Sequence, residues 1–241
     1  TGEVGAAGAS CIDLDNSTVS AFKDDFIAEL FPGKGAIASQ AYYSPNMQIK
    51  ARNRMNLGDT PAQIIQWLQT NDVFNEPQFR QYGIVAFVNG KVQVAAHTGA
   101  STDDYKNHIL GPNYSIQGNI LLGQAVLDSM QTRFVREKGD LACKLMAAMQ
   151  GAKMIGADSR CTQNGTSSLF AFLSVSKPSD TFGNPSLRVS VRTKDGARTE
   201  PIDLLQIKFN SVHNCQAISS IGVNDDRTSF VIYPNPSGNM L

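Results

Sequence analysis

Two periods of apolar residues alternate along this chain. Val4 to Ile12 is a run of small and apolar positions that predicts a strand. Ser17 to Phe31 sets Phe22, Phe26, Ile27 and Leu30 at helical spacing, with Pro32-Gly33 as a stop. Gly35 to Tyr43 reads as a buried strand. Ser44-Pro45 then supplies an N-cap with proline at the first helical position, for a helix toward Leu57 stopped by Gly58. Thr60-Pro61-Ala62-Gln63 is a capping box, and the helix behind it turns Ile64, Ile65 and Leu68 inward. Tyr82 to Val88 and Lys91 to His97 flank Asn89-Gly90, the dipeptide of a type I′ hairpin turn.

A short strand follows at Ser115 to Leu121. Helices are predicted from Gly123 to Arg136 and from Asp140 to Met154, the second with Leu141, Leu145, Ala148, Met149 and Ala152 on one face. Thr166 to Val175 and Leu187 to Arg192 are again strands. Paired strands alternating with paired helices predict sheets sandwiched between helical layers. No internal repeat interrupts the order. After about Thr193 the pattern loosens around Asp195-Gly196, Pro201, Asn224-Asp225-Asp226 and Pro234-Asn235-Pro236. Phe230 to Tyr233 is a last strand-like run. The expected organisation is a domain over residues 1–193, an extension and linker over 194–229, and a separate start over 230–241.

Composition narrows the function classes. Lys and Arg number 21 and Asp and Glu number 21, so net charge is zero and no basic footprint for nucleic acid exists. No apolar run reaches the length of a membrane span. Cys11, Cys143, Cys161 and Cys215 form no C-x-x-C pair, and His97, His108 and His213 lie in unrelated contexts, so a structural metal site is not expected. Two disulfides, Cys143 with Cys161 and Cys11 with Cys215, are one expectation; four buried thiols are the other. No G-x-S-x-G, phosphate loop or H-E-x-x-H motif is present, and no cofactor is expected.

The ordered segments Gly35-Ala-Ile-Ala-Ser-Gln-Ala-Tyr42, Gln117-Gly-Asn-Ile-Leu121 and Gly156-Ala-Asp-Ser-Arg160 resemble the DUF1028 family over roughly Thr1 to Thr193. That resemblance implies an α+β fold, a four-layer αββα sandwich like that of the N-terminal-nucleophile (Ntn) hydrolases. Cys161 stands where the family usually carries a small residue, which points toward a local disulfide. Phe230-Val-Ile-Tyr-Pro-Asn-Pro-Ser237 resembles the opening of the C-terminal sorting domain of the Bacteroidetes type IX secretion system. It implies export to the cell surface, with the secretion translocon as partner; homo-oligomerisation is left open.

Candidate chemistry follows from these positions. A true N-terminal Thr1 offers a hydroxyl nucleophile and an α-amino base in one residue. The resemblance instead sets Thr1-Gly2-Glu3 in the turn after a first strand, with Gly2 at positive φ and the nucleophile upstream. Asn119 has the amide of an oxyanion donor, or holds a tight turn. Asp158 and Arg160 present a carboxylate and a guanidinium to substrate, or staple their own loop. Ser39, Gln40 and Tyr42 end a strand where substrate can be bound, or satisfy the strand-helix junction. His97 ends a strand without a partner motif, which favours a structural role. The reading is an amide-bond hydrolase of unknown substrate; the alternative is a non-catalytic binding domain of a surface complex.

Overall fold

The computed structural model describes residues 2–15 and 20–215. Thr1, the sorting-domain-like segment at Phe230 to Ser237 and the rest of 216–241 lie outside them. The chain runs through β1 (Val4–Ser10), β2 (Ala28–Phe31), β3 (Gly35–Ala41), α1 (Pro45–Leu57), α2 (Pro61–Thr70), β4 (Arg80–Val88) and β5 (Lys91–Thr98). It continues through β6 (Asn107–Leu110), β7 (Ser115–Gly118), α3 (Gln124–Arg136), α4 (Leu141–Ala152), β8 (Phe170–Ser176), β9 (Leu187–Arg192) and α5 (Pro201–Val212). The architecture is α+β.

Its antiparallel sheets have the orders β1-β8-β9 and β2-β3-β4-β5, with β6-β7 as a separate pair. Helices α4 and α5 pack on the first sheet, and α1 and α2 on the second. Strand β1 touches β2 and β3, so the two sheets meet there.

Strand β8 is buried along its whole length. Because side chains alternate across a strand, it serves two cores at once. Ala171, Leu173 and Val175 pack with Met146, Met149, Leu205 and Phe209 of α4 and α5. Phe170 and Phe172 point the other way, toward Leu14, Phe22, Phe26 and Ile27. A third cluster joins Ile37, Tyr82 and Ile84 to Met47, Ala51, Ile64 and Leu68 of the two capped helices. Each large side chain so enclosed contributes about 1.5–3 kcal/mol.

The local punctuation acts as its chemistry dictates. Ser44 Oγ accepts from Met47 N, and Gly58 stops α1 at φ 86°. Thr60 and Gln63 close both bonds of the capping box. Asn89 and Gly90 both adopt positive φ between β4 and β5, and Gly2 does so at 74°.

Three expectations are corrected. Residues 20–31 form turns and then β2, not a helix. Ala28 N bonds Asp25 O in a turn, and Lys34 N bonds Phe31 O across Pro32-Gly33, with Gly33 at φ 67°. Pro-Gly here is therefore a hairpin turn of type II character rather than a helix stop. The phenylalanines still enter the core: Phe22 stacks on Phe26 at 4.7 Å. The disulfides are Cys11–Cys161 and Cys143–Cys215. Antiparallel pairing of β1 with β8 sets Ser10 opposite Phe170, which carries Cys11 to the turn at Cys161 and excludes Cys143–Cys161. Finally, the loosened segment after Thr193 contains α5, capped by Glu200 with Pro201 in its first turn, and its Ile202, Leu205 and Phe209 are fully buried.

Candidate functional site

A cavity of about 980 Å³ opens between the sheets and under α3 and α4. Its walls follow from small residues on β1. A Cβ at Gly8 would lie 2.8 Å from the Phe172 ring, and one at Gly5 would lie 2.7 Å from Leu145. Glycine at these two positions lets β1 sit this close to its neighbours, and Ala36 and Ala38 of β3 line the same space. The far wall is apolar, with Met130, Phe134, Leu145 and Phe170. Polar side chains gather at Gln40, Asn119, Asp158 and Arg160.

The first polar group is built on a short 3₁₀ turn, Ser159–Cys161, capped by Asp158. Arg160 grips Asp158 with two parallel bonds, Nε to Oδ1 at 2.9 Å and Nη2 to Oδ2 at 2.6 Å. Arg160 N also donates to Oδ1, and Cys11 N donates to Oδ2 at 2.8 Å. Ser10 Oγ donates to Oδ2 at 3.4 Å and lies 3.0 Å from Arg160 Nη2. The Cys11–Cys161 bridge holds the end of β1 against this turn. The Asp158 hydrogen bond raises the Arg160 pKa further above its ordinary value against the opposing effect of burial, with Asp103 adding to the rise. The Asp158 acceptors are thus occupied, which suits anchoring rather than proton abstraction. The Nη1 donors of Arg160 have no partner among the described residues and can meet a ligand carboxylate or carbonyl.

The second group centres on Gln81, fully buried on β4. Its Oε1 accepts from Gln40 Nε2 at 2.8 Å and Asn119 Nδ2 at 3.2 Å. Its Nε2 donates to Thr98 Oγ1, Asn107 O and Gly118 O. Thr98 Oγ1 meets His108 Nδ1 at 2.8 Å. Burial, with His97 nearby, holds the His108 pKa below its ordinary value, which favours the neutral ring. Gln40 and Asn119 each spend one amide hydrogen on Gln81, leaving the second hydrogen and a carbonyl oxygen for a ligand.

Backbone geometry fixes both amides. Ala41 follows Gln40 at φ 68°, and Ile120 follows Asn119 at φ 55°. Positive φ at a β-branched residue such as Ile120 is strained by about 1–3 kcal/mol. The Ile120 conformation is held by Ile120 N to Asp103 O and by Ser159 N to Ile120 O. The latter bond, with the bridge between Leu121 and Asp158, couples the two polar groups.

Four of the six candidates, Gln40, Asn119, Asp158 and Arg160, therefore meet on one wall. Tyr42 lies at the rim, half exposed and against Phe79. Ser39 does not join them. It alternates with Gln40 on β3, is buried, and is not among the residues that line the cavity. His97 is held by Gln69 and the Pro77 carbonyl, a structural placement. Ser10, Gln81, Thr98 and His108 are not legible as site residues in the sequence; their signal is only that a polar residue interrupts a buried strand.

No curated protein matches the chain. Among solved structures, it is similar to the crystal structure of protein SPO2555 from Silicibacter pomeroyi, a DUF1028 protein. The TM-score is 0.64 at 20% identity, covering 88% of this chain and 83% of that one; this likeness concerns the fold. The family described as "Family of unknown function (DUF1028)" matches residues 1–201. By that match over most of its length, the chain belongs to the DUF1028 family.

Proposed function

We propose that this protein is an amide-bond hydrolase of the N-terminal-nucleophile kind, built as a four-layer αββα sandwich and displayed at the cell surface. The observation that carries the reading is the convergence of Gln40, Asn119 and the Asp158–Arg160 pair on one cavity between two sheets. In the reaction, the amino-terminal Thr, Ser or Cys of the mature chain attacks the substrate carbonyl, and its α-amino group takes the proton. That residue lies on a strand along the edge of β1 away from β8, an edge with no partner among the described residues. Asn119 donates its remaining amide hydrogen to the oxyanion, and Arg160 orients the substrate. The apolar wall receives the rest of the substrate.

Intact mass and terminal sequencing of the mature protein, followed by an assay on a panel of N-acyl amides, test this. Hydrolysis with a mature N-terminal Thr, Ser or Cys on that strand is expected, and Asn119→Ala should lower kcat by about 10²–10³-fold. A mature protein that starts at Thr1 and cleaves no amide overturns it. The second reading, a non-catalytic binding domain, draws on the full use of the Asp158 acceptors by Arg160 and Cys11 N, which leaves that carboxylate no role as a base. It predicts ligand binding that Arg160→Lys weakens, without turnover.

Export rests on the Phe230 to Ser237 resemblance, and two disulfides suit an oxidising compartment. A reporter fused to the tail should reach the cell surface and be cleaved near Tyr233; retention in the cytoplasm overturns the export reading.

A further inference from the structure

A cluster of metal-ligating side chains lies away from the cavity, where the start of α4 meets the end of α5. Asp140 caps α4 through Oδ1, which accepts from Cys143 N at 3.0 Å. That leaves Oδ2 turned toward His213, whose Nε2 is 2.9 Å away. The imidazole is fixed by its place at the end of α5, where His213 N bonds Phe209 O and the ring packs on Phe209 at 5.1 Å. Yet His213 Nε2 is shielded from solvent and makes no well-directed hydrogen bond. Both atoms therefore remain available to a shared metal ion. Cys143 Sγ completes a triad whose ligand atoms all lie within 4.8 Å of one another. The fourth group is Cys215, joined to Cys143 in the disulfide. Space beside the Cys143 sulfur exists because position 139 is glycine: a Cβ there would lie 2.7 Å from Cys143 Cβ and 3.2 Å from its Sγ.

We infer that reduction of the Cys143–Cys215 disulfide converts this clasp into a four-ligand Zn²⁺ site made of Asp140, Cys143, His213 and Cys215. A dithiol reductant breaks the S–S bond, becomes a cyclic disulfide itself and passes its two protons to the protein sulfurs. Zn²⁺ then displaces both protons as the thiolates bind. Zinc takes thiolate, imidazole and carboxylate together in a tetrahedral shell, with Zn–S bonds of about 2.3 Å and Zn–N or Zn–O bonds of about 2.0–2.2 Å. Those bond lengths set an N···O separation of about 3.3 Å and an S···S separation of about 3.8 Å. His213 and Asp140 therefore need to part by only a few tenths of an ångström. The sulfurs need a side-chain rotation, which the exposed Cys215 can make. Metal and disulfide are alternative ways of joining α5 to α4, one for a reducing and one for an oxidising compartment. The sequence conceals the site because Asp140-x-x-Cys143 and His213-x-Cys215 are separate short pairs, with the two cysteines 72 residues apart.

The test uses the protein oxidised and, separately, reduced with a dithiol and freed of it under anaerobic conditions. Each form is titrated with Zn²⁺, and with Co²⁺ as a spectroscopic probe. The reduced form is expected to bind one equivalent, with Co²⁺ giving thiolate charge-transfer and tetrahedral d–d bands, and the oxidised form none. If the reduced form unfolds without metal, Zn²⁺ is expected to restore its circular dichroism. His213→Ala should weaken binding roughly 100-fold and Asp140→Asn, which retains the helix cap, at least about tenfold. Absence of binding by the reduced form overturns the proposal. So does equal binding by the oxidised form, or binding that both substitutions leave unchanged, which would place the metal on Cys11 and Cys161.

Discussion

The α1–α2 side of the molecule and the polar end of the cavity hold themselves together by different means. Over β3 to β5, two neighbouring helices each carry their own caps and bury Met47, Ala51, Ile64 and Leu68 on one sheet. Almost every decision there is made within a few residues of sequence. The polar end draws Ser10, Gln40, Gln81, Asn119, Asp158 and Arg160 from separate segments and joins them by hydrogen bonds and a disulfide. One region is stable because its apolar faces match; the other keeps its geometry because distant points are tied. The strained φ at Ile120 is found in the second region, where surrounding bonds hold it in place.

The largest effect is expected where the two regions join. Asp72, just past α2, and Arg80, at the start of β4, form an ion pair with both side chains largely shielded from solvent, and Arg80 also donates to Tyr42 O at the cavity rim. Asp72→Asn should cost about 3–5 kcal/mol at neutral pH by urea denaturation, because Arg80 loses its counter-charge. Burial pushes the Asp72 pKa up, but the Arg80 bond and the N–H groups of Phe74 and Glu76 together bring it down to about 2. A carboxyl lowered on folding stabilises above its unfolded pKa of about 3.9 and loses that contribution as pH falls toward 2. The variant should therefore show a flatter fall in stability between about pH 4 and pH 2. An unchanged slope would assign the acid sensitivity elsewhere.

Next comes the covalent tie. Removing it with Cys11→Ser and Cys161→Ala together should cost about 2–4 kcal/mol. Amide hydrogen exchange should quicken at Ser10, Asp158 and Ser159 while α1 and α2 keep their protection. Equal loss in both places would show that the two regions open as one unit and would break the contrast. Thr60→Ala should cost about 1 kcal/mol, through the lost cap, with faster exchange confined to the start of α2. The smallest change is expected for Ile120→Gly, which relieves positive φ while giving up a partly buried side chain. A stability shift below about 1 kcal/mol, together with weaker ligand binding in the cavity, would show that the strain positions Asn119. A large destabilisation would make Ile120 a packing residue instead.

Legibility in the sequence follows the same division. Ser44-Pro45, the Thr60–Gln63 box and Asn89-Gly90 act through bonds spanning two to four residues, so their partners stand beside them in the chain. Cys11 finds Cys161 only because β1 pairs with β8, a fact settled by sheet order. Pro32-Gly33 suits a helix end and a hairpin turn equally well, and the pairing of Leu30 with Ala36 decides between them. Gln40 and Asn119 can be named from family-like segments, but the residue that unites them, Gln81, looks like any polar position in a strand. Ser39 is separable in principle, since neighbours in a strand face opposite ways. Helix α5 is announced by Glu200-Pro201, a cap and first-turn pair hidden amid the surrounding Gly, Asp and Pro.

The two disulfides also interlock along the chain. Cys143 lies within the stretch closed by Cys11 and Cys161, while Cys215 lies beyond it. A protease that cuts once between Cys11 and Cys161 leaves both fragments tied by the first bridge; a cut between Cys161 and Cys215 leaves them tied by the second. A single nick anywhere from Cys11 to Cys215 thus yields one covalent molecule rather than two.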